Sequence, residues 1–480
     1  MDWIVDHQMR LLFLLAYMAL LSYHCWLANR GNRNLEDYLV AGRGLGGWIV
    51  ALSSYATFVS TNTFIGQAGK SWDVGIIWYC KALVFGVLCY LSWHFVAPRF
   101  VTRTREYGSL TVADFLGHRF QSRAVRRLTS GVIVVASVLY LVAVYKGSAI
   151  ALQEFLGMGY STAVLAIFGV VTVYTLAGGF RSVVMTDAVQ GLFMFAGAIA
   201  LIIVVINAGG GLTAILDTLR TTDPELVSWR GKLPLLSIFG LAFAGGVKLL
   251  VEPRQLSRLY GLRDDQALRT ARVVAPLLII ITYLCVLPIG ALARAVIPAQ
   301  AINDSDLVIP YLLGTSQILG PILSSFFLLV LLSAAMSSLD SVLLVAGSTI
   351  SRDLFDHPDQ DIQGIRLARI WVFVVSLVSM LLALNPIGDI VEVTAFSGSM
   401  YAACFLPTLV LGLYWQRGTA AGAISCLVIG STVSIGWYCA RKAGWTELHE
   451  VYPSLLLALT AYIVISLLTL QRSESAGLPR

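Results

Sequence analysis

Three features of this sequence predict an all-α polytopic membrane protein. Of its 480 residues, 57% are hydrophobic and only 12% charged, about half the charge of an ordinary soluble chain. Apolar stretches of about 20 residues, each enough to cross hydrocarbon as a helix, recur along the whole length. The loops between them alternate between arginine-rich and arginine-poor, as the positive-inside rule requires. Thirteen spans follow, centred near residues 18, 58, 86, 143, 170, 195, 242, 285, 333, 376, 402, 428 and 461.

The first span, "LLFLLAYMALLSYHCWLA", runs into "NRGNRNLEDY" and not into a small-residue cleavage site. It therefore reads as a retained helix rather than a signal peptide. Arg30, Arg33 and Arg43, then Arg99 through Arg127, Arg254 through Arg272, and Arg352, Arg366 and Arg369 fall on one side, with Arg181, Arg417, Arg472 and Arg480. That bias puts the N-terminus outside and the C-terminus in the cytoplasm of a plasma membrane, the inner membrane in a bacterium, and requires an odd number of spans. The net charge of +6 is scattered through these loops and does not form a nucleic-acid-binding patch. The run "TREYGSLTVADFLGHRFQSRAVRRL" reads as a helical hairpin at the interface, its charges solvated or near headgroups. The seven cysteines show no CxxC pair, so neither a disulfide framework nor a metal site is indicated. Only "QRSESAGLPR" follows the last span, and neither a fused signalling module nor an obligate protein partner is expected.

Two spans look interrupted. The centre of the second, "SSYATFVSTNT", is rich in hydroxyls and β-branched residues, which favour an opened backbone. The seventh, "LPLLSIFGLAFAGGVKLLVEP", carries Gly245 and Gly246 roughly 20 Å into the span, near the bilayer middle. Broken helices at matching positions of two inverted halves are the mark of a secondary transporter, with the site at the breaks. The chain then divides into an extra helix and loop (1–46), a first five-helix repeat (47–207), an outer loop (208–232), a second repeat (233–415) and two closing helices (416–480). Gly245 and Gly246 would serve gating in this scheme, and Arg43 either touches the inner gate or anchors a helix end.

The ninth span holds "SAAMSSLDSVLL", with Ser337, Ser338, Asp340 and Ser341 inside five positions. A carboxylate there costs about 2.5–3.5 kcal/mol on insertion scales, so something must compensate for it. Lysines at 81, 146 and 248 also fall within spans and ought to face a cavity or an acid. Lys248 has Glu252 at i+4 as a bland partner, Lys146 could answer Asp340, and Lys81 could snorkel. A free lysine in the cavity would call for an anionic solute.

The segments "YLVAGRGLGGWIVALSSYATFVS", "YTLAGGFRSVVMTDAVQ", "EPRQLSRLYGLRDDQALRTARV" and "LLSAAMSSLDSVLLVAGSTISRDLF" resemble, in order and spacing, the sodium/solute symporter family. Its members carry sugars, proline, sialic acid, pantothenate, inositol or monocarboxylates. The resemblance implies a LeuT-type core of five plus five inverted helices and Na⁺ as coupling ion, with no metal or organic cofactor. It implies a sodium site of carbonyls from Ala56, Val59 and Ala334 and hydroxyls from Ser337 and Ser338. Residues 334, 337, 338 and 341 share one helix face, and such neutral oxygens can replace a cation's hydration shell. Some relatives bind a second cation, here at Asp187, Ser337, Asp340 and Ser341; a second sodium, a shared proton and a salt bridge to a lysine are the three readings. Ser60, Thr63 and Tyr140 match pocket positions in relatives, and Lys81, Lys146 and Lys248 join them as substrate candidates. The family's usual "QPH" is "EPR" at residues 252–254.

Sodium-coupled symport of a small carboxylate or amino acid into the cytoplasm is the expected function. Uptake of a neutral sugar or polyol, or coupling to protons, are the alternatives. A channel and a transporter-like sensor are more remote. So is a membrane enzyme, because no HExxH or GxSxG occurs.

Overall fold

The computed structural model describes residues 7–29, 40–229, 232–315, 318–355 and 361–475. The expectations resting on Arg30, Arg33 and Arg480 lie outside them. The described residues are helical throughout, apart from turns and one isolated parallel bridge between Leu45 and Leu262. Ten helical segments are long and apolar enough to cross a membrane. The first helix α1 (Gln8–Asn29), a broken second span and a shorter helix at Tyr160–Ala177 complete a set consistent with thirteen.

The break in the second span lies where the hydroxyl-rich stretch predicts it. Helix α2 (Gly47–Phe58) ends because Val59 is extended, at φ −75° and ψ 119°. Side chains then cap the open backbone: Ser60 N–H donates to Thr63 Oγ1 at 3.3 Å, and Asn62 N–H donates to Ser60 Oγ at 3.2 Å. A widened turn at Asn62–Gln67 leads into α3 (Ala68–Val74). Helix α4 (Lys81–Leu91) continues through another widened turn into α5 (Ala97–Glu106). Next come α6 (Val112–Arg119), α7 (Arg123–Leu156), α8 (Tyr160–Ala177) and α9 (Phe180–Ala208).

The other break is displaced from its expected place. Helix α10 (Leu235–Gly246) leads by one turn into α11 (Lys248–Val251), and Val247 N–H still donates to Phe243 O at 2.8 Å. The chain opens at Glu252, at φ −70° and ψ 126°, before α12 (Pro253–Tyr260). Proline explains this, since it lacks an N–H and drives the preceding residue out of the helical region. Gly245 and Gly246 serve close packing instead. A Cβ on Gly246 would come within 2.7 Å of Leu88 and 2.8 Å of Phe85 on α4.

Helices α13 (Asp265–Val286) and α14 (Ile289–Ala293) follow, then α15 (Pro321–Thr349), α16 (Asp361–Ala383), α17 (Ile390–Phe405), α18 (Gly412–Tyr414), α19 (Ala420–Lys442) and α20 (Val451–Ser475). Helix α7 is central, packed against α8, α15, α16 and α17, while α2 packs on α9 and α13. Helix α1 lies against α9 and α15, and α19 pairs with α20 at the periphery. At Gly290 a Cβ would sit 1.9 Å from the Ala68 carbonyl oxygen of α3. Gly290→Ala should therefore lower stability by about 1–3 kcal/mol through overpacking, read as a drop in unfolding temperature in detergent.

The arginine-rich hairpin is solvated on one face, where Arg105, Arg123 and Arg127 are exposed, but not on the other. Asp353 accepts from Thr111 Oγ1 at 2.6 Å and pairs with Arg126 at 2.8 Å, while Asp114 lies 3.4 Å from Arg352. Both carboxylates are buried, so the run locks α6 and α7 onto the end of α15.

Candidate functional site

Loss of helical pairing at the first break frees a carbonyl. In an unbroken helix the Ala56 oxygen would accept from Ser60 N–H, but that N–H turns to Thr63. The Ala56 oxygen instead accepts from Ser337 Oγ of α15 at 3.0 Å. Ser337 Oγ is also 3.5 Å from the Ala334 carbonyl oxygen. Next to it, the Ser338 hydroxyl is fully buried and has no hydrogen-bond partner among the described residues. An orphaned buried hydroxyl is costly, and a cation held by it and its neighbours would remove that cost. Ala56, Ala334 and Ser337 thus meet where α15 crosses the broken span; Ser338 is the next residue on α15, and Val59 lies at the break itself.

One helical turn further along α15 the chemistry changes. The Arg258 guanidinium of α12 lies 2.8 Å from Asp187 Oδ2 of α9, with neither side chain exposed. Ser53 Oγ and Thr57 Oγ1 of α2 donate to the same oxygen at 2.9 and 3.3 Å. Arg258 also donates to Ser341 Oγ, which itself donates to Ser337 O at 2.5 Å. Asp187 and Ser341 therefore meet through an arginine, not through one of the three lysines. Asp340 is fully buried, and neither of its oxygens has a hydrogen-bond partner among the described residues.

A narrow cavity lies on the other side of the first break, lined by Ser60, Asn62, Gln67, Tyr140, Lys248, Arg254 and Tyr283, among others. Its room for water-sized centres is about 20 Å³, enough for a single water. Lys248 is buried, 4.5 Å from the Tyr140 ring centroid, and its Nζ has no hydrogen-bond partner among the described residues. Arg254 stacks over the same ring at 4.0 Å. Its Nε forms an ion pair with Glu252 Oε1 at 2.9 Å, off the hydrogen-bonding line, and Nη1 has no hydrogen-bond partner among the described residues. Glu252 thus pairs with Arg254, and no ion pair within 4 Å joins it to Lys248 among the described residues.

The remaining candidates separate. Thr63 Oγ1 sits 3.2 Å from the Tyr283 hydroxyl, behind the cavity wall. Lys81 does not snorkel: it is fully buried, donates to Gln67 Oε1 at 2.9 Å and stands 4.1 Å over Trp78. Lys146 reaches neither the cavity nor Asp340. It pairs with Asp306 at 2.6 Å and Asp304 at 3.6 Å, and Asp306 also accepts from Ile390 N–H. These contacts lie close to the pair of Lys70 on α3 with Asp389, 3.4 Å apart. At the arginine-rich end Leu45 and Gly261–Arg263 exchange backbone hydrogen bonds, and Arg43 donates to Ser109 O at 3.4 Å. The roots of both broken helices are therefore tied together there.

By sequence Arg254 and Arg258 both fall in an arginine-rich loop, and Arg254 also belongs to the departure from "QPH"; the structure buries both on α12. The signal was their i, i+4 spacing after Pro253, which places both on one face of a helix that a proline starts.

The sodium:solute symporter family model matches residues 38–430. The chain belongs to the sodium:solute symporter family. This symporter is 32% identical over 441 residues to the sodium/pantothenate symporter of Escherichia coli (strain K12), covering 90% of each chain. It is 29% identical to the high-affinity proline transporter PutP of Bacillus subtilis (strain 168), over 95% of this chain and 97% of that one. Its fold matches that of a Na⁺-coupled sialic acid symporter solved in a substrate-bound outward-open state. There the TM-score is 0.81 at 18% identity, covering 96% and 97% of the two chains. The symporter is thus a multi-pass transporter of LeuT-type fold.

Proposed function

We propose that this symporter carries a small organic carboxylate into the cytoplasm with Na⁺, the ion bound by Ala56, Val59, Ala334, Ser337 and Ser338. The observation that carries the choice of solute is the convergence of Lys248 and Arg254 on one ring and one cavity, with Lys248 Nζ and Arg254 Nη1 lacking hydrogen-bond partners among the described residues. Glu252 is the acid at their side, so an anion is needed to balance the pair; buried charges are stable only when paired. A neutral sugar or polyol would leave that imbalance. Pantothenate and proline, named for the relatives, both bear a carboxylate. Ser60, Asn62 and Gln67 offer further polar contacts, and Lys81 acts on them through Gln67.

The cavity is too small for such a solute, so its walls must part during the cycle. Rocking of one repeat (47–207 and 233–415) against the other supplies this in transporters with paired broken helices. Sodium bound between α15 and the first break would fix the break that forms one cavity wall, linking ion and solute. One charge crossing ~100 mV yields ~2.3 kcal/mol and a tenfold gradient ~1.4 kcal/mol, enough for roughly 500-fold accumulation. For Asp187, an ion pair with Arg258 is the favoured compensation; Asp340 has no hydrogen-bond partner among the described residues, which leaves a shared proton or a second cation as its compensation. A second cation at Asp187, Ser337, Asp340 and Ser341 would require that guanidinium to move. We place the N-terminus outside and the C-terminus in the cytoplasm of a plasma membrane.

Uptake into proteoliposomes from a panel of labelled carboxylates, amino acids and sugars, with Na⁺ replaced by K⁺, tests the function. Lys248→Gln should weaken uptake of the anionic solute by roughly ten- to a hundredfold, the loss of one charge-assisted contact. Undiminished uptake in that variant would remove Lys248 from the site.

A further inference from the structure

The arginine-rich face carries a second cavity, of about 720 Å³, between α5, α6 and α18. Arg99, Thr102 and Arg103 of α5, Arg119 of α6 and Tyr414 of α18 line it, with Glu106 at its rim. Each guanidinium is held in place. Arg99 stacks 3.6 Å over the Tyr414 ring, and Arg119 donates to the carbonyls of Gly412 and Trp415 at 2.8 and 3.0 Å. Arg103 donates to Glu106 Oε2 at 2.7 Å, both side chains about half exposed.

The charge here is unbalanced. In the neighbouring network Arg126 and Arg352 are matched by the buried carboxylates of Asp353 and Asp114. In this cavity three arginines meet one acid. Arginine forks suit phosphate oxygens, which they can bind through two hydrogen bonds at once.

The cavity also lies beside lipid-facing surface. Tyr90 and Phe95, at the end of the α4 span, are 54% and 50% exposed, and the Tyr414 hydroxyl donates to Phe95 O at 2.8 Å. Aromatic residues at a span end mark the headgroup level, and basic pockets at that level suit anionic headgroups. A free phosphate ion would make no use of the aromatic flank. We propose that this cavity binds the phosphate headgroup of an anionic phospholipid, bridging the span of α4 and α5 to the element that follows α17.

The test uses the purified full-length symporter. Native mass spectrometry reads retention of phosphatidylglycerol against phosphatidylethanolamine, and Na⁺-driven uptake is compared in vesicles with and without phosphatidylglycerol. We expect the anionic lipid to be retained preferentially and to speed uptake. The Arg99→Gln/Arg103→Gln variant should hold it about tenfold more weakly and lose the uptake response while keeping its sodium dependence. Glu106→Gln, which frees Arg103, should hold the lipid more tightly. Equal retention by wild type and both variants overturns the proposal, and so does competition by inorganic phosphate as strong as by the lipid.

Discussion

Ser338→Ala should raise the sodium concentration for half-maximal uptake by roughly ten- to a hundredfold, with little change in solute affinity at saturating sodium. The estimate is that of one hydrogen-bond-grade contact to a charged group, about 1.5–3 kcal/mol, at 1.4 kcal/mol per tenfold. Ser338 is the cleaner probe of the serine pair because its hydroxyl makes no hydrogen bond among the described residues. Removing it therefore breaks no hydrogen bond among the described residues, so a changed sodium requirement would report on the ion site itself. Ser337→Ala should raise the sodium requirement too, but it also removes the bond to the Ala56 carbonyl and so disturbs the junction of α15 with the broken span. Sodium titrations of uptake in proteoliposomes decide the matter. An unchanged sodium curve in Ser338→Ala would exclude that hydroxyl from the site.

Arg258→Met should destabilise the protein by about 3–5 kcal/mol, the usual result of removing one partner of a buried ion pair. Arg258 and Asp187 are fully buried, and the guanidinium also reaches Thr57 at 3.1 Å and Ser341. Without it Asp187 loses its cation deep in the bundle, near the equally buried Asp340, and must either hold an unpaired charge or take up a proton. Removing both charges with Asp187→Asn/Arg258→Met should restore most of the stability, because neutral pairs of similar shape are tolerated. Thermal unfolding in detergent measures this. A double variant as unstable as the single would mean that Arg258 stabilises through packing and not through charge.

Much of the architecture was legible in the chain itself. Span positions follow from apolar length, and the first break follows from the run of hydroxyls between Ser53 and Thr63, because both are local properties. The glycine pair at Gly245 and Gly246 misled for a related reason. Glycine permits a break and close packing alike, and only the nearness of Phe85 and Leu88 shows which is in force.

Partners of buried charges were not legible. The sequence offered Lys146 for Asp340 and Glu252 for Lys248, each consistent with span depth or helical spacing. The fold gives Lys146 to Asp306 and Glu252 to Arg254, and brings Arg258 to Asp187 across 71 positions. The sequence alone therefore determined that this is a helical membrane transporter with oxygen-rich stretches at a break and on a facing helix. Tertiary structure alone decided which cation answers which acid and which buried nitrogens are left without a hydrogen-bond partner among the described residues. Periodicity and hydropathy act over one helix, whereas a charge pairs with whatever neighbour the packing of distant helices sets within about 4 Å.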